Sequence, residues 1–147
     1  MDIFAQFATD PKLELEGKWF DIGSAEGKLE NGDPDPNTVP MILVARSGNK
    51  RHGRVVAKLY EANKSLLEQR GDAAEARGEE ITIESMAKGV LLGWKNLSFK
   101  GEKLKDGWDY ETAKHLLAVK DFRKLVGTKS DSFEEYKLHQ EEADAKN

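Results

Sequence analysis

The sequence predicts an α+β fold, in which a small N-terminal antiparallel β-sheet is followed by a mostly α-helical body. Between residues 12 and 46, apolar side chains alternate with polar ones or form one short run, as in β-strands. After Asn49 they recur every three or four residues, as in amphipathic helices. A chain of 147 residues has the usual size of one domain. We therefore expect a single domain over residues 1–147, with a β region at about 12–46, a helical body at about 49–138 and a frayed tail at 139–147.

The β region contains two strand signals separated by a loop signal. Residues 12–22 alternate apolar and polar side chains, which predicts half-buried strands interrupted near Gly17. Residues 40–46 form a short apolar run with branched side chains, which predicts a buried strand that pairs with the first. Residues 27–38 carry an Asn-Gly step and two Asp-Pro steps, and these favour an exposed, mobile loop.

Two longer helices are predicted in the middle of the chain. Asn49 is a suitable N-cap for the first helix, whose apolar spacing continues until Gly71. The clearest helical pattern is a continuous apolar stripe from Met86 to Trp94, for which Thr82 is available as the cap.

The last third of the chain predicts shorter elements. Residues 97–104 alternate around a Lys-Gly step, which fits either a small hairpin or an extended connection. Asp109 predicts the start of a short helix, and a further turn or two should end before Gly127. Ser132 and Glu135 have the spacing of a capping box, which predicts a terminal helix.

The charge balance limits the classes of partner that we expect for the protein. With 27 acidic and 23 basic side chains the formal net charge is −4, so no overall positive field attracts nucleic acid or an anionic membrane. The chain has no cysteine, which removes disulfides and thiolate metal sites. No stretch approaches the ~20 apolar residues of a membrane span, and the start lacks the pattern of a secretory signal. We expect a cytoplasmic protein with neither nucleic acid nor a membrane as partner.

The histidines do not have the spacing of a catalytic or metal site. His52, His115 and His139 are each remote in sequence from another histidine, so we expect ordinary, mainly surface side chains. The usual motifs of serine hydrolases, phosphate-binding loops and dinucleotide-binding turns are missing. We therefore expect no enzymatic activity, no cofactor and no bound metal. The competing class is an enzyme whose site would be a cleft around a histidine or carboxylate with a strongly shifted pKa.

The loop signal contains an incomplete calcium-binding pattern. Asp33, Asp35 and Asn37 match the first half of such a loop. Thr38 stands where the pattern needs glycine, and Val44 stands where it needs the closing glutamate. An ordinary turn-rich loop is the expected structure.

Two other patterns each allow two interpretations. The basic run at residues 50–54 is typical of a solvated helix face, although it could also contact phosphates. The stripe from Met86 to Trp94 is typical of a core-facing helix, although it could also form a groove for a partner helix.

Four local patterns follow one another in the second half of the chain. They are a Gly-Trp helix end in 90–97, a short Gly turn in 101–104, a Glu-Thr-Ala helix with a leucine pair in 110–117, and an acidic-apolar step at 121–122. In this order and spacing the chain resembles the tail assembly chaperones of tailed bacteriophages, over roughly residues 12–138. Thr112 stands where that family usually carries Asn, which leaves the branch of the family open.

The resemblance implies a protein that binds and solubilises the phage tape measure protein and helps recruit tail tube subunits. Its partners would be the tape measure protein and the tail tube protein, and self-association is left open. Such a protein would act in the host cytoplasm and would not stay in the mature virion. The alternative is a phage structural or host-interaction protein, such as a tail completion factor or an inhibitor.

The partner-binding residues that we predict are large apolar side chains of the helical body. Leu92 points off the Met86 to Trp94 stripe, and two aromatic residues flank a turn where they need not be fully buried. The predicted contributors are Leu91, Leu92, Trp94, Trp108 and Tyr110.

Overall fold

The structure is a computed structural model that describes residues 1–138. The predicted α+β class is confirmed. The α-helices are α1 (Ile3–Phe7), α2 (Pro11–Glu16), α3 (Lys50–Ala62), α4 (Lys64–Glu68), α5 (Asp72–Gly89), α6 (Tyr110–Ala118) and α7 (Lys120–Asp131), and the strands are β1 (Lys18–Asp21), β2 (Met41–Val44), β3 (Leu91–Lys95), β4 (Ser98–Phe99) and β5 (Glu102–Lys103). His139 and the tail predicted for 139–147 lie outside the described residues.

The main sheet has three antiparallel strands in the order β1-β2-β3. The predicted pairing of the two N-terminal strand regions is confirmed, with Phe20 opposite Ile42. Ile42 in turn lies opposite Trp94, and all three side chains are buried. The third strand comes from the second half of the chain, so the sheet joins the N-terminal region to the helical body. The core lies between this sheet and helices α5, α6 and α7.

The strand predicted for residues 12–16 is wrong, because these residues form α2. The carboxylate of Asp10 accepts hydrogen bonds from the backbone N–H groups of Lys12 and Leu13, at 3.0 and 3.3 Å. Pro11 occupies the first helical position, where its missing N–H costs nothing. Gly17, with φ of 88°, ends the helix in a conformation that favours glycine, and β1 starts directly after it.

The helix predicted from Thr82 to Trp94 is also partly wrong. Helix α5 begins at Asp72, eleven residues before the predicted start at Ile83, and ends at Gly89. The hydroxyl of Thr82 donates to the carbonyl of Gly78 instead of capping a helix. The second half of the stripe is strand β3. A register shift beside Val44 lets Leu91 and Trp94, three residues apart, both pack into the core. Periodicity alone does not separate a short buried strand from a buried helix.

The predicted N-cap at Asn49 is confirmed, and its side chain also links three segments. The Asn49 side-chain oxygen accepts from the backbone N–H of His52 at 3.0 Å. Its amide group donates to the carbonyls of Arg46 and Gly89, at 2.7 and 2.9 Å. The first predicted helix is divided at Asn63 into α3 and α4.

The last third largely follows its predictions. Strands β4 and β5 form the small hairpin, and Asp109 caps α6 through the backbone N–H of Thr112 at 2.8 Å. Helix α7 continues past Gly127 to Asp131, further than predicted. The predicted terminal helix is reduced to a 3-10 helix, Phe133–Tyr136, and Ser132 provides no side-chain cap to it.

The loop at residues 27–38 is mostly exposed, as predicted. A bridge between Lys28 and Pro34 and a 3-10 helix at Pro36–Thr38, capped by Asp35, give it local order. Its mobility stays a prediction. Within residues 1–138 no helix combines the length and the apolar character needed to cross a bilayer.

Candidate functional site

Two of the five predicted partner-binding residues lie in the core. Leu91 and Trp94 on β3 are 0% and 1% exposed. The indole N–H of Trp94 donates to the carbonyl of Lys105 at 3.0 Å, so its polar atom is satisfied internally. In this fold neither side chain is available to a partner, which corrects their predicted role. The prediction failed because it assigned them to an amphipathic helix instead of a buried strand.

Trp108 is the largest predicted side chain that reaches the surface, with 46% of it exposed. Its indole N–H donates to the carbonyl of Ala87 in the last turn of α5, at 3.2 Å. The preceding residue, Gly107, exchanges two backbone hydrogen bonds with Trp94, at 3.0 and 3.1 Å. The ring is therefore fixed at one edge while part of its apolar surface remains open to solvent.

Tyr110 lies against the same end of α5. The ammonium groups of Lys88 and Lys114 are 5.1 and 4.5 Å from the centre of its ring. Burial raises the pKa of the Tyr110 hydroxyl above its ordinary value, so the phenol is neutral at physiological pH. Because Trp108 and Tyr110 both contact the last turn of α5, we call these two residues the α5 aromatic patch.

Leu92 occupies the irregular position of β3. Val44 pairs with Leu91 and Leu43 pairs with Gly93, which leaves Leu92 without a partner in the register. Its side chain is half-buried. It is therefore accessible only in part, and it is a weaker candidate for partner binding than Trp108.

An apolar surface on α1 was missed by the sequence predictions. Ile3, Phe4 and Phe7 are 63%, 66% and 52% exposed, and we call them the α1 apolar patch. The carboxylate of Asp2 caps α1 by accepting from the backbone N–H of Phe4 at 3.0 Å. Phe7 packs near Phe133, with ring centres 5.8 Å apart. The capping aspartate followed by apolar positions at helical spacing is the signal that could have identified this helix.

The outer face of the main sheet carries a second missed aromatic residue. Trp19 is half-buried and packs over Gly93, where an added Cβ would lie 3.5 Å from its ring. The ammonium group of Lys95 is 4.3 Å from the centre of one Trp19 ring. Trp19 thus covers the sheet at Gly93 and offers less free surface than Trp108.

A cavity of about 250 Å³ between α3, α5 and α7 bears on the enzyme alternative. It is lined by residues that include His52, Ser85, Ser130 and Asp131. His52 accepts a hydrogen bond from the backbone N–H of Gly48 at 2.9 Å, and burial lowers its pKa while Asp131 opposes that shift. Both serine hydroxyls donate to carbonyls of their own helices. Over residues 1–138 the cavity therefore contains a histidine with a lowered pKa and no Ser–His hydrogen bond.

The metal-binding residue types are dispersed. Within the described part of the chain, no three His, Cys, Asp or Glu side chains lie close enough together to hold a metal ion. The carboxylates of the 27–38 loop make local contacts instead, since Asp33 accepts from Asn31 and Asp35 caps the 3-10 helix.

Comparison with known proteins identifies the family. A sequence model of the family described as YdaY prophage protein matches residues 47–147. None of the curated proteins and none of the solved structures compared with the chain matches it. The matched segment contains the α5 aromatic patch but not the α1 apolar patch. Since the match covers more than half of the chain, the protein belongs to the phage-derived family of YdaY prophage proteins.

Proposed function

We propose that this phage protein is a non-enzymatic tail assembly chaperone, which binds and solubilises the tape measure protein and helps recruit tail tube subunits. The observation that carries the proposal is Trp108, a large side chain that is fixed by a hydrogen bond and yet 46% exposed. Exposed and immobilised Trp side chains are frequent energetic centres of protein interfaces. The phage origin of the family and the resemblance to tail assembly chaperones supply the biological context.

The client implied by the resemblance is a long helical protein with apolar faces that would otherwise associate. The α5 aromatic patch and the α1 apolar patch are two surfaces on which such faces can be covered. Leu92 and Tyr110 are half-buried and would contribute less. A formal net charge of −4 helps to keep the complex soluble. The chaperone would act in the host cytoplasm, make no contact with a membrane, and leave before the virion is complete.

Co-expression with the tape measure protein of the same phage tests the proposal. The tape measure protein should be soluble with the wild-type chain and should precipitate without it. Trp108→Ala should reduce the soluble fraction strongly, because an interface centre contributes about 2 kcal/mol or more. Leu29→Ala is the matched control, since Leu29 is 45% exposed but lies in the 27–38 loop. Equal solubility of the tape measure protein with and without the chain would overturn the proposal.

A folding control separates binding from stability. Each variant should be compared with the wild type by circular dichroism and thermal unfolding before the solubility assay. Trp108→Ala is expected to retain the fold, because the ring is only partly buried. If Trp108→Ala unfolded the chain, Trp108→Phe would keep most of the ring packing but lose the bond to Ala87, and should give an intermediate soluble fraction.

A further inference from the structure

The exposed face of α3 carries a row of basic side chains. Lys50, Arg54 and Lys58 follow at spacings of four residues, so they share one face and are about 6 Å apart along the helix axis. All three are exposed, and Arg51 lies beside the row. We call these four residues the basic ridge, which is about 12 Å long.

The basic ridge lacks the carboxylate partners that other cations in the protein have, although Arg51 donates a hydrogen bond to the carbonyl of Leu15 at 3.3 Å. Arg77 pairs with Glu80 and Glu84 at 2.8 and 3.0 Å, and Arg123 pairs with Glu79 at 2.9 Å. Over residues 1–138 no carboxylate lies within ion-pair distance of the four ridge residues. No acidic residue occurs in the sequence between Arg46 and Tyr60. Among the described residues, the positive charge of the ridge is therefore not compensated by ion pairs.

The start of α3 adds to the positive potential of the ridge. Lys50 and the adjacent Arg51 occupy the first turn, where the helix dipole is positive and acidic residues are usually preferred. Helices α1, α2 and α6 are capped by aspartates, whereas α3 is capped by the neutral side chain of Asn49. Within the chain this arrangement is unfavourable, but it suits a bound anion.

Gly53 leaves the surface of α3 beside the basic ridge sterically open. It is exposed in the interior of α3, where glycine weakens a helix relative to alanine. A Cβ at Gly53 would meet no atom within 4 Å, whereas a Cβ at Gly89 would lie 2.6 Å from the Cα of His52. Packing within the chain thus requires glycine at 89 but not at 53. The missing side chain leaves the backbone open between Lys50 and Arg54.

The composition of the face indicates the class of ligand. Tyr60, at its flank, is the only large apolar side chain of α3 that is strongly exposed. Protein partners generally need an apolar centre to bury, but a phosphodiester backbone is bound mainly by cations. We propose that the basic ridge binds the phosphate backbone of nucleic acid without reading its sequence. This goes beyond the proposed chaperone function, which rests on the apolar patches.

The net charge of −4 argues against long-range attraction, and it led us to expect no nucleic-acid partner. At physiological ionic strength, however, charges are screened beyond about 8 Å. A contact along a ridge of about 12 Å is therefore decided mainly by the local cations rather than by the charge of the whole molecule.

Fluorescence anisotropy with the full chain tests the proposal. The probes are a labelled 20-base-pair DNA duplex and a labelled 20-nucleotide single strand, both of mixed sequence. If binding neutralises about three phosphates, the affinity for the duplex should fall about 40-fold when the salt concentration is raised from about 50 to about 200 mM. Changing Lys50, Arg54 and Lys58 together to Gln should weaken binding at least tenfold and remove most of the salt dependence.

The control variant removes the same number of charges elsewhere. Lys105, Lys120 and Lys124 are exposed lysines outside α3, and changing all three to Gln should leave affinity within about twofold of the wild type. Equal weakening by both triple variants would overturn the proposal, because net charge would then explain the binding. Absence of salt-dependent binding by the folded wild type would also overturn it.

Two further arms distinguish the ligand class and the role of Gly53. A poly-glutamate peptide should compete poorly with DNA, and tighter binding of that peptide would replace the proposal with an acidic protein partner. Gly53→Ala should raise Tm through helix propensity while it weakens DNA binding several-fold. A merely structural role would move only Tm, and an unchanged affinity would remove Gly53 from the site.

Discussion

At the scale of single residues, buried polar side chains fix the positions of several segments. Asn49 is 8% exposed and combines an N-cap with bonds to two carbonyls. The hydroxyl of Tyr136, in a side chain that is completely buried, donates to the carbonyl of Val44 at 2.7 Å. Burial raises the pKa of that hydroxyl, so it remains a donor at physiological pH. The cap at Asn49 could be predicted locally, but its bond to Gly89 depends on residues forty positions apart.

Replacing Asn49 with Ala should destabilise the fold by about 2 kcal/mol. The change removes the cap of α3 and leaves the carbonyl of Gly89 without its donor. Urea unfolding should show a lower midpoint with an unchanged m-value. Asn37→Ala is the control, because that side chain is exposed, and it should change stability by less than about 0.5 kcal/mol. Equal midpoints for both variants would contradict the linking role of Asn49.

His52 should make stability depend on pH. Burial lowers its pKa below the ordinary value of 6.5, so the unfolded chain binds the proton more readily than the folded chain. The contribution of neutral His52 to the stability of the fold is complete above pH 6.5 and decreases as the pH falls below that value. The protonated imidazole also loses the acceptor that bonds Gly48. His52→Gln should show a smaller decrease in Tm between pH 7.5 and pH 5.5 than the wild type, whereas the same change at exposed His115 should leave the decrease in place.

At the scale of secondary-structure elements, some elements could be predicted from local sequence signals, whereas others depend on the strand with which they pair. Caps and turns are determined by residues that are close in sequence. For this reason β1, β2, the β4-β5 hairpin and the start of α6 could be predicted from local signals. Strand β3 forms because it pairs with the edge of β2 and because burial of Leu91 and Trp94 stabilises this pairing. That information is not contained in periodicity, since a helix would place the same two residues on one face.

Adjacent leucines test whether residues 91–95 are a strand. Leu91 is 0% exposed, and Leu91→Ala should destabilise the protein by about 3 kcal/mol through lost packing. Leu92 is half-buried without a register partner, so Leu92→Ala should cost about 1 kcal/mol. Chemical denaturation of both variants gives the comparison. A larger cost at Leu92 would mean that its side chain, rather than that of Leu91, faces the core.

At the scale of the whole molecule, the sheet and helices α5, α6 and α7 enclose the core and leave distinct apolar and basic surfaces outside it. The prediction that Trp108 need not be fully buried agrees with its 46% exposure, whereas a binding role for Trp108 and Tyr110 stays a prediction. It could not predict that Leu91 and Trp94 are buried, because their environment is created by β2. The α1 apolar patch has a local signature, but its exposure follows from the arrangement of the whole fold.

Site-specific photo-crosslinking during phage production tests the proposed chaperone function most directly. A crosslinking amino acid at position 108 should form products with the tape measure protein, while the same group at position 29 should not. Mass spectrometry identifies the products, and the chain should be absent from purified virions. Crosslinks from position 108 to a host protein, or stoichiometric retention of the chain in virions, would contradict the chaperone function and favour a structural or host-interaction role.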